Sequence, residues 1–227
     1  DYYLARGFEE ETATVYAMIE IMDQGIGDLI NELEKLEIRQ NTLVIFTSDN
    51  GPDPQVGDRF NLNLKGNKYI VDEGGIHVPL IMNWPGKIDP ALVNGLVHFI
   101  DLFPTLIDIC KLDNPFDQKI DGISVSGYVK TANDHYARTV MWQWNRGVPN
   151  YSFNAAIRQG DWKLVRPYKS HFDIMLKEST LKPVLYNLKD DPFEEHDLSK
   201  SNYAIYKELL VKLEQWSKEV EFDRLSD

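Results

Sequence analysis

Apolar residues recur at spacings of three and four through Val15, Met18, Ile19, Met22, Ile26, Leu29, Ile30 and Leu33. That period predicts a helix over Glu9 to Leu36. Gly25 and Gly27 weaken its middle by about 1 kcal/mol each relative to alanine, and leave room for another backbone to approach. The pattern then changes to a continuous apolar, β-branched run, Thr42-Leu43-Val44-Ile45-Phe46-Thr47. Its length suits a strand buried on both faces, as in a parallel sheet. A second such run, Val78 to Trp84, stops at Pro85-Gly86. Val97 to Cys110 reads as a short strand or turn followed by a helix. Pro104 sits near the helix start, where its missing N–H costs little, and Asp101 is placed to cap it.

Beyond Lys111 to Asp134 the period shortens. Strands are predicted at Thr139 to Trp144, Asn154 to Arg158, Trp162 to Arg166 and Val184 to Leu188, the middle two forming a hairpin around Gln159-Gly160-Asp161. A final helix over Tyr203 to Val220 carries Ile205, Leu209, Leu213, Trp216 and Val220 on one stripe. This is the layout of a small antiparallel sheet with a helix on it. Two domains follow, residues 1–133 and 134–227.

Composition narrows the function classes. The 227 residues are 43% hydrophobic and 26% charged, ordinary globular values. A net charge of −12 argues against a general nucleic-acid binder, which would be basic. No apolar run reaches the ~20 residues of a membrane span. The opening Asp1-Tyr2-Tyr3-Leu4-Ala5-Arg6 lacks the basic start and apolar stretch of a signal peptide. A single cysteine, Cys110, excludes an internal disulfide.

Candidate chemistry concentrates between Asn41 and Gly86. Ser48-Asp49-Asn50-Gly51 follows the first strand at once, at the edge where open α/β sheets bind ligands. Asp49 and Asn50 offer hard oxygen donors of the kind calcium and magnesium take, although calcium needs about 6–8 of them. Asp, Asn and Gly are equally at home in a plain polar turn, which the residues alone favour. Lys65-Gly66-Asn67-Lys68 follows. A lysine in such a loop can hold an anion as a point charge, or be simply solvated. Asp53, Asp58 and Arg59 lie in the intervening polar loop and read as surface residues bordering a mouth. Asp23 reads as structural or surface, and Glu32, Glu34 and Glu37 as a solvated face. Cys110 lies among apolar residues and reads as core. His98 has no second histidine at ligand spacing, and His135, His171 and His196 stand in polar loops. Trp142, Trp144, Tyr151 and Trp162 read as core before a sugar-facing surface.

The order TLVIFTSDNG, KGNK and EGGIHVPLIMNWPG resembles the sulfatase family, within the alkaline-phosphatase-like superfamily. The segments Tyr16 to Gly27, Asp101 to Thr105, Asp121 to Ser124, AIRQGDWKLVR and LYNLKDDPFEEHDLS resemble it too, so the likeness runs over essentially the whole chain. It implies an α/β fold: the C-terminal part of an alkaline-phosphatase-like domain followed by a small α+β subdomain. It implies that Asp49 and Asn50 complete a calcium site and that Lys68, five residues before Glu73-Gly74-Gly75, contacts the sulfate. Lys65 does not match that spacing. His77 departs from the family, which usually has an arginine there, read as mainly structural.

The resemblance also implies what is absent. No Cys-x-Pro/Ser-x-Arg occurs, the setting in which sulfatases convert cysteine to formylglycine. The expected role is therefore a sulfuric ester hydrolase fragment whose nucleophile lies in an N-terminal half. Its expected partners are that half and a sulfate ester, such as a sulfated sugar. Localisation by resemblance is periplasmic, secreted or lysosomal. A phosphate or phosphonate ester hydrolase of the same superfamily, or a non-catalytic sulfated-glycan-binding protein, are the alternatives.

Overall fold

A computed structural model describes residues 1–56, 61–113, 120–130, 138–168 and 182–226. The boundary expected at 133/134 lies outside these residues, as do Asp58, Arg59, His135 and His171. The chain forms two compact units. One comprises Asp1–Met22, Thr47–Leu80 and Arg138–Asp227; the other comprises Asp23–Phe46 and Ile81–Ala137.

Helix α1, Glu10–Lys35, lies where the apolar period placed it. Its stripe is only partly covered: Val15, Ile26, Ile30 and Leu33 are half-buried, while Met18, Ile19, Met22 and Leu29 remain 46–63% exposed. A Cβ at Gly25 or Gly27 would meet no atom within 4 Å, so the close backbone approach expected there is not made among the described residues. Strands β1, Val44–Thr47, and β2, Leu80–Asn83, pair in a two-stranded sheet. β1 is half-buried throughout and Ile81 of β2 is 56% exposed, where burial on both faces was expected. β2 alternates half-buried Leu80 and Met82 with exposed Ile81 and Asn83, so one of its faces has no packing layer among the described residues.

Around Asp101 the capping differs from expectation. Asp101 has no side-chain hydrogen bond to the helix that follows it, α3, Leu102–Cys110. Fully buried, its carboxylate instead accepts from His98 N at 2.7 Å and Ile123 N at 3.1 Å, while His98 Nδ1 accepts from Ile100 N. His98 is thus a capping residue, as its isolation from other histidines suggested. Cys110 is half-buried at the end of α3.

The C-terminal sheet carries the larger unit. β3, Thr139–Gln143; β4, Ala155–Gln159; β5, Trp162–Arg166; and β6, Val184–Asn187 form one antiparallel sheet in that order. Gly160, at φ +60°, makes the β4–β5 turn that the hairpin required. Because side chains alternate along a strand, each strand feeds two cores. Ala155, Ile157, Leu164 and Leu185 pack with Leu209 and Leu213 of the long helix Tyr203–Ser226. Burying each such leucine contributes about 1.5–3 kcal/mol. On the opposite face Ala156, Val165 and Tyr186 pack with Val71, and Trp142 and Trp144 pack against them. Trp162 packs on the helix side. The three tryptophans are therefore core-packing residues, and the second face of the sheet supports the segment around Val71.

Candidate functional site

That segment is the Lys65–His77 stretch, and its shape is set by close backbone contacts. The single turn α2, Glu73–Ile76, is buried at Glu73, Gly74 and Gly75. Gly51 N donates to Gly75 O at 2.9 Å, Gly74 N to Lys65 O at 2.7 Å and Lys68 N to Pro52 O at 2.9 Å. One turn thus ties the loop after β1 to the lysine loop. The approach leaves no room for side chains. A Cβ on Gly51 would lie 1.8 Å from Gly74 O, and one on Gly75 would lie 1.9 Å from Ile70 O. Gly75→Ala should therefore shift backbone and destabilise by about 1–3 kcal/mol or more, read as a lower urea midpoint. An unchanged midpoint would mean the turn yields freely.

Within this frame the predicted residues take distinct positions. Asp49 is exposed, and its carboxylate makes no hydrogen bond or ion pair with the described residues. Asn50 is half-buried; its Nδ2 donates to Gly51 O at 2.9 Å, which leaves Oδ1 as an acceptor. Ser48 Oγ donates to Asn50 O and Thr47 Oγ1 to Pro79 O, holding the backbone on either side. An unpaired carboxylate beside an amide oxygen suits a hard divalent cation and supplies two of the donors one needs. Lys68 extends its ammonium to 4.0 Å from Asp53 Oδ2, with its side chain 34% exposed. The Asp53 carboxylate also caps its own turn, accepting from Gln55 N. This loose pair leaves Lys68 available to an incoming anion.

Lys65 has other partners. Its ammonium donates to Tyr186 Oη at 2.8 Å and lies 3.4 Å from Asp72 Oδ1. Burial alone would lower its pKa, but the Tyr186 hydrogen bond and Asp72 carry it upward, so Lys65 stays a cation. It ties the loop to the sheet, with its side chain 47% exposed.

Sequence reasoning missed the charge cluster beneath the turn. Arg158, Lys163 and Tyr186 are neighbours in register on β4, β5 and β6, one residue out of phase with the helix-facing leucines. Lys163 has no exposed surface; its ammonium donates to Glu73 Oε1 at 2.8 Å and lies 2.9 Å from Glu194 Oε1. Glu194, also fully buried in its side chain, accepts from Glu73 N at 2.7 Å through Oε2. His77 Nδ1 is 3.2 Å and Arg158 3.9 Å from Glu73 Oε2. Burial would raise the Glu73 pKa, but Lys163, then His77 and Arg158, outweigh it and bring it to about 2. For Glu194 burial wins over Lys163 and the pKa is raised. The alternation Trp162-Lys163-Leu164 does not by itself show that Lys163 is buried; its partners lie far away in sequence.

His196, with Asp191 and Glu195, forms a group of close ligand atoms. The Asp191 carboxylate accepts from Glu195 N and His196 N, which accounts for the grouping as a capped turn.

Among the described residues no helix is long and apolar enough to cross a membrane. A family model described as Sulfatase matches residues 3–112, and one described as N-sulphoglucosamine sulphohydrolase, C-terminal, matches residues 66–220. The chain is 30% identical to an N-acetylgalactosamine-6-O-sulfatase of Bacteroides thetaiotaomicron over 85% of its own length and 40% of that protein's. It superposes on the crystal structure of Ps i-CgsB in complex with k-i-k-neocarrahexaose with a TM-score of 0.77 and 28% identity, covering 92% of this chain and 44% of that one. A structure in complex with its substrate D-glucosamine-2-N,6-O-disulfate matches with a TM-score of 0.67 and 26% identity, over 92% and 40% of the two chains. The chain thus spans about 40% of the length of the curated relative.

Proposed function

We propose, since this chain belongs to the sulfatase family, that it supplies part of the metal and sulfate site of an enzyme hydrolysing sulfate esters of sugars. The observation that carries the reading is the shared turn. Glu73–Ile76 is bonded both to the loop of Asp49 and Asn50 and to the loop of Lys68, so metal donors and an anion-binding cation belong to one rigid backbone unit. Asp49 and Asn50 would hold a divalent cation, calcium by family resemblance, to which they offer hard oxygen donors. When bound, such a cation draws charge from a sulfate oxygen. Lys68 would contact the sulfate or leaving-group oxygen and stabilise the negative charge that grows as the ester S–O bond breaks. Asp53 would steady Lys68 until the anion arrives.

The nucleophile, a formylglycine by family resemblance, would come from polypeptide outside these 227 residues. The uncovered apolar residues of α1 support this, as does the share of its relatives that the chain spans. Residues 1–133 would complete the α/β domain around the nucleophile, and residues 134–227 would be its small α+β subdomain. A sulfated sugar as substrate rests on the named relatives and on the cationic character at Lys68. An exported or lysosomal setting is assigned on resemblance alone.

Lys68→Ala in the full-length protein should lower kcat on a sulfate ester by about 10²–10³-fold, the usual loss when one charge-stabilising group is removed, with an unchanged melting temperature. A wild-type kcat would remove Lys68 from the site.

A further inference from the structure

Next to Lys68 the backbone takes a conformation that a tyrosine rarely adopts. Tyr69 has φ +81°, in the left-handed region. Such strain persists where the surroundings impose it, and it gathers at ligand sites. Here the surroundings are one buried amide. Asn154, with no exposed surface, donates from Nδ2 to Tyr69 O at 2.7 Å and Trp144 O at 3.2 Å, and accepts from Val71 N at its Oδ1. It therefore fixes Tyr69 against β3's outgoing loop. The Trp144 ring supports the Tyr69 ring at 5.1 Å and 50°. The result is an aromatic ring held rigidly beside the lysine assigned to the sulfate.

Two cations lie over that ring. The Lys68 ammonium lies 5.4 Å and the Arg146 guanidinium 5.8 Å from its centroid, both within cation–π range. Arg146 is exposed, and no carboxylate pairs with it among the described residues. A guanidinium in that state presents its fork of N–H donors to sulfate or carboxylate, which it binds bidentately. An aromatic side chain with two cations within reach of its ring matches a sugar ring with two anionic substituents.

We propose that Tyr69 and Arg146 form a specificity subsite beside Lys68 for a second anionic group on the sulfated sugar. Tyr69 packs on the sugar ring, Lys68 takes the sulfate to be cleaved, and Arg146 takes the second sulfate or carboxylate. This rests on the assignment of Lys68 to the sulfate given above.

The test is calorimetric binding of two probes, glucosamine-6-sulfate and glucosamine-2-N,6-O-disulfate, to the full-length protein. Wild type should bind the disulfated sugar about 10- to 100-fold more tightly, the worth of a charge-assisted hydrogen bond. Arg146→Ala should erase that preference and leave the affinity for the monosulfated sugar unchanged; Arg146→Lys should restore part of it. Tyr69→Ala should weaken both sugars. No preference in wild type, no binding of either sugar, or a preference that survives Arg146→Ala would overturn the subsite. Lys68→Ala separates the two assignments. If it weakens both sugars while Arg146→Ala changes nothing, the subsite fails alone; if it changes neither, the reading of Lys68 fails.

Discussion

Replacing Lys163 with methionine is expected to cost about 3–5 kcal/mol of folding stability, the scale for stranding a buried charge. Methionine fills the space of the lysine stem, so cavity formation contributes little. What is lost is the single ammonium between Glu73 and Glu194. Glu194 lies fully out of water and Glu73 nearly so, and the two share a direct hydrogen bond from Glu73 N. Two carboxylates would then face each other with Arg158 at 3.9 Å as the nearest remaining arginine. Neutralising one of them should return part of the loss, so Lys163→Met/Glu194→Gln should be more stable than Lys163→Met. Acid titration gives an independent reading. The folded pKa of Glu73, about 2, lies below its ordinary 4.5. Its ionised form therefore contributes stability that is present in full above about pH 4.5 and is lost as the pH falls towards 2. The raised pKa of Glu194 works in the opposite sense and in a higher window, adding stability as the pH falls through its folded pKa to about 4.5. In Lys163→Met the acid limb from Glu73 should flatten, because that carboxyl no longer gains from being charged. Urea unfolding from pH 5 to pH 2 would show it. A variant as stable as wild type would mean the cluster is not what anchors the turn.

The second large effect is expected at Asp49. Asp49→Ala in the full-length protein should remove bound calcium and lower kcat on a sulfate ester by at least about 10³-fold, since a Lewis acid contributes several kcal/mol to charge stabilisation. The melting temperature without metal should hardly move, because the carboxylate has no partner among the described residues to lose. Calcium content by atomic emission and turnover after chelation are the readouts. Full metal content with full activity would sink the metal assignment. Asn50→Ala should give a smaller loss of the same kind, because an amide oxygen is a neutral donor.

Much of the frame was legible because it is written locally. The three-and-four spacing of α1, the Gly-Asp turn between β4 and β5, and the Leu209–Leu213 stripe each depend on residues close in sequence. Gly51 was legible as a turn residue; that it, Gly74 and Gly75 admit backbone oxygens within 2.2 Å of where a Cβ would stand was not. The charged core was hidden for a physical reason. A lysine alternating with leucines on a strand looks solvated unless its partners are known, and those of Lys163 lie 90 residues before it and 31 after it, at Glu73 and Glu194. Asn154 was likewise read as the start of a strand, when its amide holds Tyr69 from 85 positions away. Covering of α1 and β1 was overestimated because a pattern records which face wants burial and not whether a neighbour is there to give it.

The long reach of that cluster also bears on how the protein is made. The turn that joins the Asp49 and Lys68 loops is anchored by Lys163, Glu194 and Tyr186, contacts separated by 90 to 121 residues. Contacts at such separation close late, since the entropy of the intervening loop must be met first. On a ribosome adding about 5–20 residues per second, the segment from Lys65 to His77 emerges many seconds before the sheet and Glu194 that fix it. Over that interval Glu73 and its glycines are an unanchored acidic turn beside an apolar strand. The Asp49 and Lys68 loops are thus synthesised well before the residues that set them, which makes truncation after the Lys65–His77 segment more damaging to their geometry than the distance along the chain suggests.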